Sequence, residues 1–160
     1  MPRKRLHRTW RVRPATLRDV PILVRQRRGM FEAMGEGEPA LLDQADREFA
    51  RWMRAQFRAR RLVGFLAVTA RGKIGAGGMI WLQERQPRPG FAGGGVPYLM
   101  SMYTEPDSRR QGLATMIITS ALDWCRAHGH QRLSLHASPA GEGLYRSLGW
   151  KRTREFSRPC

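Results

Sequence analysis

The segment running Tyr103, Thr104, Glu105, Pro106, Asp107, Ser108, Arg109, Arg110, Gln111, Gly112, Leu113, Ala114, Thr115 carries an apolar strand pattern through an arginine-bearing turn into an amphipathic helix pattern that starts near Gly112. Peptide N–H groups in such a turn and in the first helical turn have no intrahelical acceptor, and the helix dipole adds partial positive charge where they converge. Gly112 and Ala114 are small enough to let the backbone approach an anion closely, and Arg109 and Arg110 add formal charge. The chemistry this arrangement predicts is the binding of a diphosphate.

Arg109-x-x-Gly112-x-Ala114 resembles the signature with which the GNAT superfamily of acyl-CoA-dependent N-acetyltransferases holds coenzyme A. Two further blocks carry the likeness: Leu133 to Ser138 resembles the superfamily's fifth strand, and Leu144 to Trp150 its following Leu-Tyr-x-x-Leu-Gly-aromatic helix. The opening Trp10 to Thr16, followed by Asp19, is similar to the first strand and first helix. The resemblance implies a mixed α/β fold with a mostly antiparallel central sheet of six to seven strands, about four flanking helices and a splayed cleft for coenzyme A. It also implies that Met102, Tyr103 and Thr104 offer backbone groups to the pantetheine arm, and that Arg109, Arg110, Gln111, Gly112, Leu113, Ala114 and Thr115 hold the pyrophosphate. Ser138 stands where many members carry an Asn that touches the pantetheine or pyrophosphate region. The implied reaction moves an acetyl group from acetyl-CoA to a primary amine, of a small molecule or a protein, by direct attack in a ternary complex and without a metal.

Acyl transfer from a thioester to an amine needs a neutral nucleophile, a polarised carbonyl and a proton for the departing thiolate. An alkylammonium has a reference pKa of about 10.4 and a thiol about 8.5, so the amine's proton is the larger obstacle at neutral pH. Tyr145 matches the superfamily tyrosine assigned as general acid; its plain reading is a half-buried packing residue beside Leu144 and Leu148. Glu105 and His136 are the candidates for the base. Glu105 otherwise caps the turn or pairs with Arg109, and His136 is otherwise a hydrogen-bonded strand histidine. Deprotonation through ordered water is a third route, and Tyr103 is as well suited to shaping the acceptor pocket.

The elements that must position these residues follow from periodicity. Trp10 to Arg13 alternates as a strand, and Asp19 is the expected N-cap of a helix with Pro21 in its first turn and Val20, Leu23, Val24, Phe31 and Met34 at helical spacing. Leu42, Ala45, Phe49, Trp52, Met53 and Phe57 mark a second helix with Arg51, Arg54 and Arg58 opposite. Leu62 to Ala70 and Ile74 to Gln83 read as a hairpin, Pro87 to Gly95 as a loop, and Tyr98 to Glu105 as the strand that feeds the turn. Leu113, Met116, Ile117, Ala121 and Trp124 line the next helix, which Gly129 stops. Leu133, Leu135 and Ala137 alternate with Ser134, His136 and Ser138 along a further strand. A short helix over Ala140 to Leu148 and a last strand near Trp150 to Phe156 complete the chain. Gly75 to Gly78 and Gly93 to Gly95 lack the strand-glycine-helix context of a nucleotide loop and read as strand and loop glycines.

At 160 residues with 41% apolar content, the chain predicts one domain with a single substantial core, residues 10–160, preceded by a flexible basic arm over 1–9. Cys125 and Cys160 make neither a disulfide framework nor a metal spacing, which suits a reducing compartment, and His7, His128 and His130 have no metal-ligand partners. No apolar run reaches the roughly 20 residues of a membrane span, so the expectation is a cytoplasmic protein. The formal charge of +16, with ten Lys/Arg among residues 1–28, predicts generic affinity for nucleic acid or ribosomes. The alternative function is accordingly a basic RNA- or ribosome-binding module with weak or no transferase activity, and a homodimer is left open.

Overall fold

The computed structural model describes residues 10–159; the basic arm and Cys160 lie outside the described residues. The order is β1 (Trp10–Pro14), α1 (Val20–Ala33), α2 (Pro39–Arg58), β2 (Leu62–Thr69), β3 (Ile74–Arg85), β4 (Gly94–Thr104), α3 (Leu113–Ala127) and α4 (Pro139–Ser147), with short 3-10 turns at Leu17–Asp19 and Pro106–Ser108. The four strands form an antiparallel sheet in chain order.

The sheet is buried on both faces, which is why Leu62 to Val68 is a continuous apolar run. Leu62, Leu66 and Val68 face α1 and α2 with Val20, Leu23, Phe49, Met53 and Met79. Phe65 and Ala67, one residue out of step, face α3 with Trp10, Ile80, Leu99, Leu113 and Ile117. Burying a large aliphatic side chain contributes about 1.5–3 kcal/mol, so these two layers carry the fold. Cys125 is buried in the α3 layer, and that burial pushes its thiol pKa up.

Asp19 departs from the expected cap. It stands at the start of α1, but its carboxylate takes a bidentate bond from Arg13 (2.7 and 2.9 Å) and one from the Thr16 backbone (2.8 Å), closing a capping box around the preceding 3-10 turn. The acidic stretch that follows also has a structural use. Arg28 of α1 reaches Glu32 (3.0 Å) on its own helix and Asp43 (2.6 Å) and Asp46 (2.9 Å) on α2, clamping the two helices together.

Among the described residues the six- or seven-stranded sheet is not formed: four strands are present. The expected fifth strand shrinks to one parallel bridge between Tyr98 and Ser134, and the expected last strand over Trp150 to Phe156 is irregular chain. Residues 151–159 are all exposed, carry Lys151, Arg152, Arg154 and Arg158, and offer Phe156 as their sole large apolar side chain, 95% exposed. Such a segment has no apolar face to bury against the sheet and no gain to offset the entropy of ordering it. Without it the outer edge of 133–137 stays unpaired, although Leu133 and Leu135 still pack on the core.

Candidate functional site

The site begins at an irregularity in β4. Met79 faces Met100 and Gly77 faces Tyr103, so Gly78 stands opposite both Ser101 and Met102: one extra residue, a β-bulge. Ser101 occupies the left-handed region at φ 54°, a conformation a non-glycine residue adopts only where its surroundings enforce it. Across the bulge Gly78 leaves room for Met102, to whose sulfur an added Cβ would approach to 2.4 Å.

The other edge of β4 has a partner only at its start. Leu99 N–H donates to Ser134 O (2.7 Å) and Ser134 N–H to Pro97 O (3.3 Å), and beyond this bridge β4 and the 133–137 segment part company. Among the described residues Met100 to Thr104 therefore presents an outer strand edge without a strand partner, and a wedge opens from the Tyr98–Ser134 bridge toward the turn before α3. Within β4, Met102 turns toward the α3 layer, while the Tyr103 ring lies against α1 so closely that a Cβ on Gly29 would stand 2.8 Å from its hydroxyl end.

The turn itself is built from main chain. Arg110 (φ 60°) and Gly112 (φ 78°) are both left-handed, and Gly112 occupies the N-cap of α3. Among the described residues, no N–H group from Arg109 to Thr115 has an acceptor within the chain. Such alternation of handedness turns successive N–H groups into one concavity at the positive end of the helix dipole. Side chains hold it in shape from below: the Trp10 indole donates to Gln111 Oε1 (3.0 Å), Arg109 Nε to Thr104 O (3.2 Å), and Lys73 pairs with Asp107 (2.8 Å). The guanidiniums of Arg109 and Arg110 remain exposed beside it.

Glu105, at the base of the turn, is 8% exposed. Its N–H donates to Gly75 O (2.8 Å), and its carboxylate accepts from Arg25 (2.8 Å) and Gln26 (3.2 Å) of α1, not from Arg109. It ties α1 to the end of β4. Gln26 keeps its own Oε1 unpaired, and Gly77 makes room for that oxygen, which a Cβ there would approach to 2.2 Å. Ser138 caps α4, its hydroxyl accepting from Gly141 N–H (3.2 Å).

Tyr145 and His136 line one groove of about 800 Å³ between α3, the 131–137 segment, α4 and the C-terminal chain, with Leu135, Trp150 and Glu155. Tyr145 meets Trp150 edge-on (5.8 Å between ring centres), and burial pushes its phenol pKa up, so it holds its proton at neutral pH. His136 bonds the Tyr98 hydroxyl through Nδ1, and its Nε2 lies 3.7 Å from Glu155. Arg152 crosses to Glu142 of α4 (2.6 Å), pinning the C-terminal chain beside the groove.

Four residues of this arrangement escape the sequence reading. Gln26 had a visible signal, a polar side chain three residues after Leu23 in a buried helical stripe. Arg25, Tyr98 and Glu155 had none, because their partners lie 38 to 80 residues or an unpatterned tail away. Among the described residues there is no cluster of metal-ligating side chains, and no helix is long and apolar enough to cross a membrane.

The family model of the acetyltransferase (GNAT) family matches residues 27–150. The chain belongs to that family. Its fold is shared with a predicted acetyltransferase from Clostridium acetobutylicum solved with acetyl-CoA (24% identity, 94% of this chain and 96% of that chain, TM-score 0.83). A GCN5-related N-acetyltransferase from Ralstonia eutropha superposes equally well (24% identity, 94% and 98% covered, TM-score 0.83). A glucosamine-6-phosphate N-acetyltransferase from Arabidopsis thaliana is more distant (19% identity, 94% and 98% covered, TM-score 0.63). No curated protein sequence matches the chain.

Proposed function

We propose that the protein transfers an acetyl group from acetyl-CoA to a primary amine by direct attack in a ternary complex. The observation that carries this reading is the run of acceptor-free N–H groups from Arg109 to Thr115, curled by two left-handed residues and opening off the free edge of β4. These groups fit a diphosphate, and the edge of Met100 to Thr104 fits an amide-bearing arm that pairs as an added strand. When bound, acetyl-CoA supplies the activated acyl group. The chain's own groups do the rest: the turn fixes the nucleotide end, the wedge orients the arm toward the Tyr98–Ser134 bridge, and Tyr145, protonated and beside the groove, is the acid for the departing thiolate.

The test is release of coenzyme thiol from acetyl-CoA with a panel of neutral, acidic and peptide N-terminal amines, together with a thermal shift on adding coenzyme A. Thiol release above background and a shift are expected. Neither signal in a folded protein overturns the reading. A second reading, a basic module for RNA or ribosomes, draws on Arg47, Arg51, Arg54 and Arg58, which lie exposed along α2 with no acidic partner among the described residues. RNA binding that collapses steeply with salt is its signature.

A further inference from the structure

We infer that Tyr98, His136 and Glu155 form a relay that removes the proton of the acceptor amine, with Tyr98 the catalytic residue and the other two positioning residues behind it. The inference rests on the acetyl-transfer reading above. Tyr98 makes the last rung before β4 and the 133–137 segment separate, so it stands where an arm laid along the free edge ends. Its neighbour Leu99 belongs to the α3 layer, and Met100 to the α1–α2 layer; Tyr98 therefore leaves the sheet on the α1–α2 side, away from the Tyr145 side.

The relay requires one direction for the Tyr98–His136 hydrogen bond. In it the Tyr98 hydroxyl donates to its partner His136 Nδ1, which accepts only when the neutral ring carries its hydrogen on Nε2, the nitrogen that faces Glu155. A hydroxyl, an imidazole acceptor and a carboxylate behind it are the parts with which an imidazole accepts a hydroxyl proton and is stabilised once charged. Burial pushes the Tyr98 phenol pKa up, the nearby Glu155 charge adding to it, so a standing tyrosinate is not the base. The tyrosine instead gives up its proton as it receives another.

The step balances. The ammonium's proton moves to Tyr98 Oη while the Tyr98 proton moves to His136 Nδ1, leaving a neutral amine and an imidazolium opposite Glu155. The amine nitrogen then bonds the acyl carbon and the carbon–sulfur bond breaks with its electron pair on sulfur; the thiolate takes the Tyr145 proton, the nitrogen's second proton leaves through solvent and restores Tyr145, and once the product departs His136 passes its Nδ1 proton back through Tyr98 Oη to solvent, which regenerates the Nε2–H ring. The other charged groups lining this groove are Arg126, Arg132, Lys151, and Glu142 with its partners Arg146 and Arg152 (2.9 and 2.6 Å), which leaves Glu155 as the carboxylate opposite His136.

The experiment has two arms. In the free wild-type protein, ¹⁵N NMR of the imidazole is expected to find His136 in the Nε2–H tautomer, and Tyr98→Phe or Glu155→Gln to weaken that preference; an Nδ1–H tautomer overturns the relay. With acetyl-CoA and the best amine of the panel, Tyr98→Phe is expected to lower kcat/KM about 100-fold, the low end of general-base contributions, and to make rate rise with pH through the alkaline range as free amine accumulates. The coenzyme A thermal shift should not change. Wild-type kcat/KM and pH profile in both Tyr98→Phe and His136→Gln overturn the relay while acetyl transfer stands; a wild-type protein that releases no thiol overturns both.

Discussion

Replacing Glu105 separates a tether from a base. Its carboxylate accepts bonds from Arg25 and Gln26 at 2.8 and 3.2 Å while only 8% of the residue meets solvent. Bonds to a charged group are worth about 1.5–3 kcal/mol each, and a buried amide left without a partner costs about 1–3 kcal/mol. In Glu105→Ala the Arg25 head, 58% exposed, swings into water and recovers most of its loss, whereas Gln26, whose Oε1 is already unpaired, loses the partner of its Nε2 as well. The net destabilisation is about 2–3 kcal/mol, which for a domain of this size lowers Tm by about 4–12 °C. Glu105→Gln keeps an acceptor for Gln26 and should lose less than half as much. Paired thermal melts and kcat/KM–pH profiles provide the assay: Glu105→Gln should keep the wild-type profile shape within a few-fold in rate. A Glu105→Gln protein that melts like wild type but loses 100-fold in rate together with the acid limb of its profile would refute the tether and restore Glu105 as the base.

Gly112→Val forces a β-branched residue to φ 78° and puts its methyls over the anion cradle; the coenzyme A thermal shift should vanish while Tm falls only a few degrees, as melts with and without coenzyme A will tell. Asp19 has its carboxyl pKa lowered from 3.8 to about 2, first by the Arg13 hydrogen bonds, so its contribution of about 2 kcal/mol is complete above pH 3.8 and fades as pH falls toward 2. Denaturant melts across that window should lose stability less steeply in Asp19→Asn, and an unchanged slope would contradict the pairing. Gly78→Val drives methyls into Met102 and Ile117 beneath the bulge; about 1–3 kcal/mol of overpacking is expected by chemical denaturation, with weakened coenzyme A binding because the edge of β4 must shift.

What the sequence made legible is what local chemistry decides. The β2–β3 hairpin, the arginine face of α2 and the glycine-bearing turn each arise from residues within a few positions of one another, and the structure places them where periodicity put them. β4 starts at Gly94 rather than Tyr98, because its first residues have no pattern of their own and are held by pairing with Glu84 and Arg85. The bulge was hidden for a related reason: it depends on Gly78 meeting Met102, a cross-strand fact. The strand count followed from resemblance, and residues 151–159 lack the apolar alternation that would have realised it. Glu105 and His136 were visible as chemistry-bearing types, but their bonds to Arg25 and Tyr98 depend on the packing of α1 and on the parallel rung, neither of which is encoded in spacing.

Gly29 is the point where α1 passes over the Tyr103 ring with no room to spare. The spacing between α1 and β4 is thus governed by a missing side chain, since any atom added there must lift the helix or tilt the ring. Because Arg28 locks α1 to α2, lifting one helix carries the other, so a single methyl would move both helices against the end of β4.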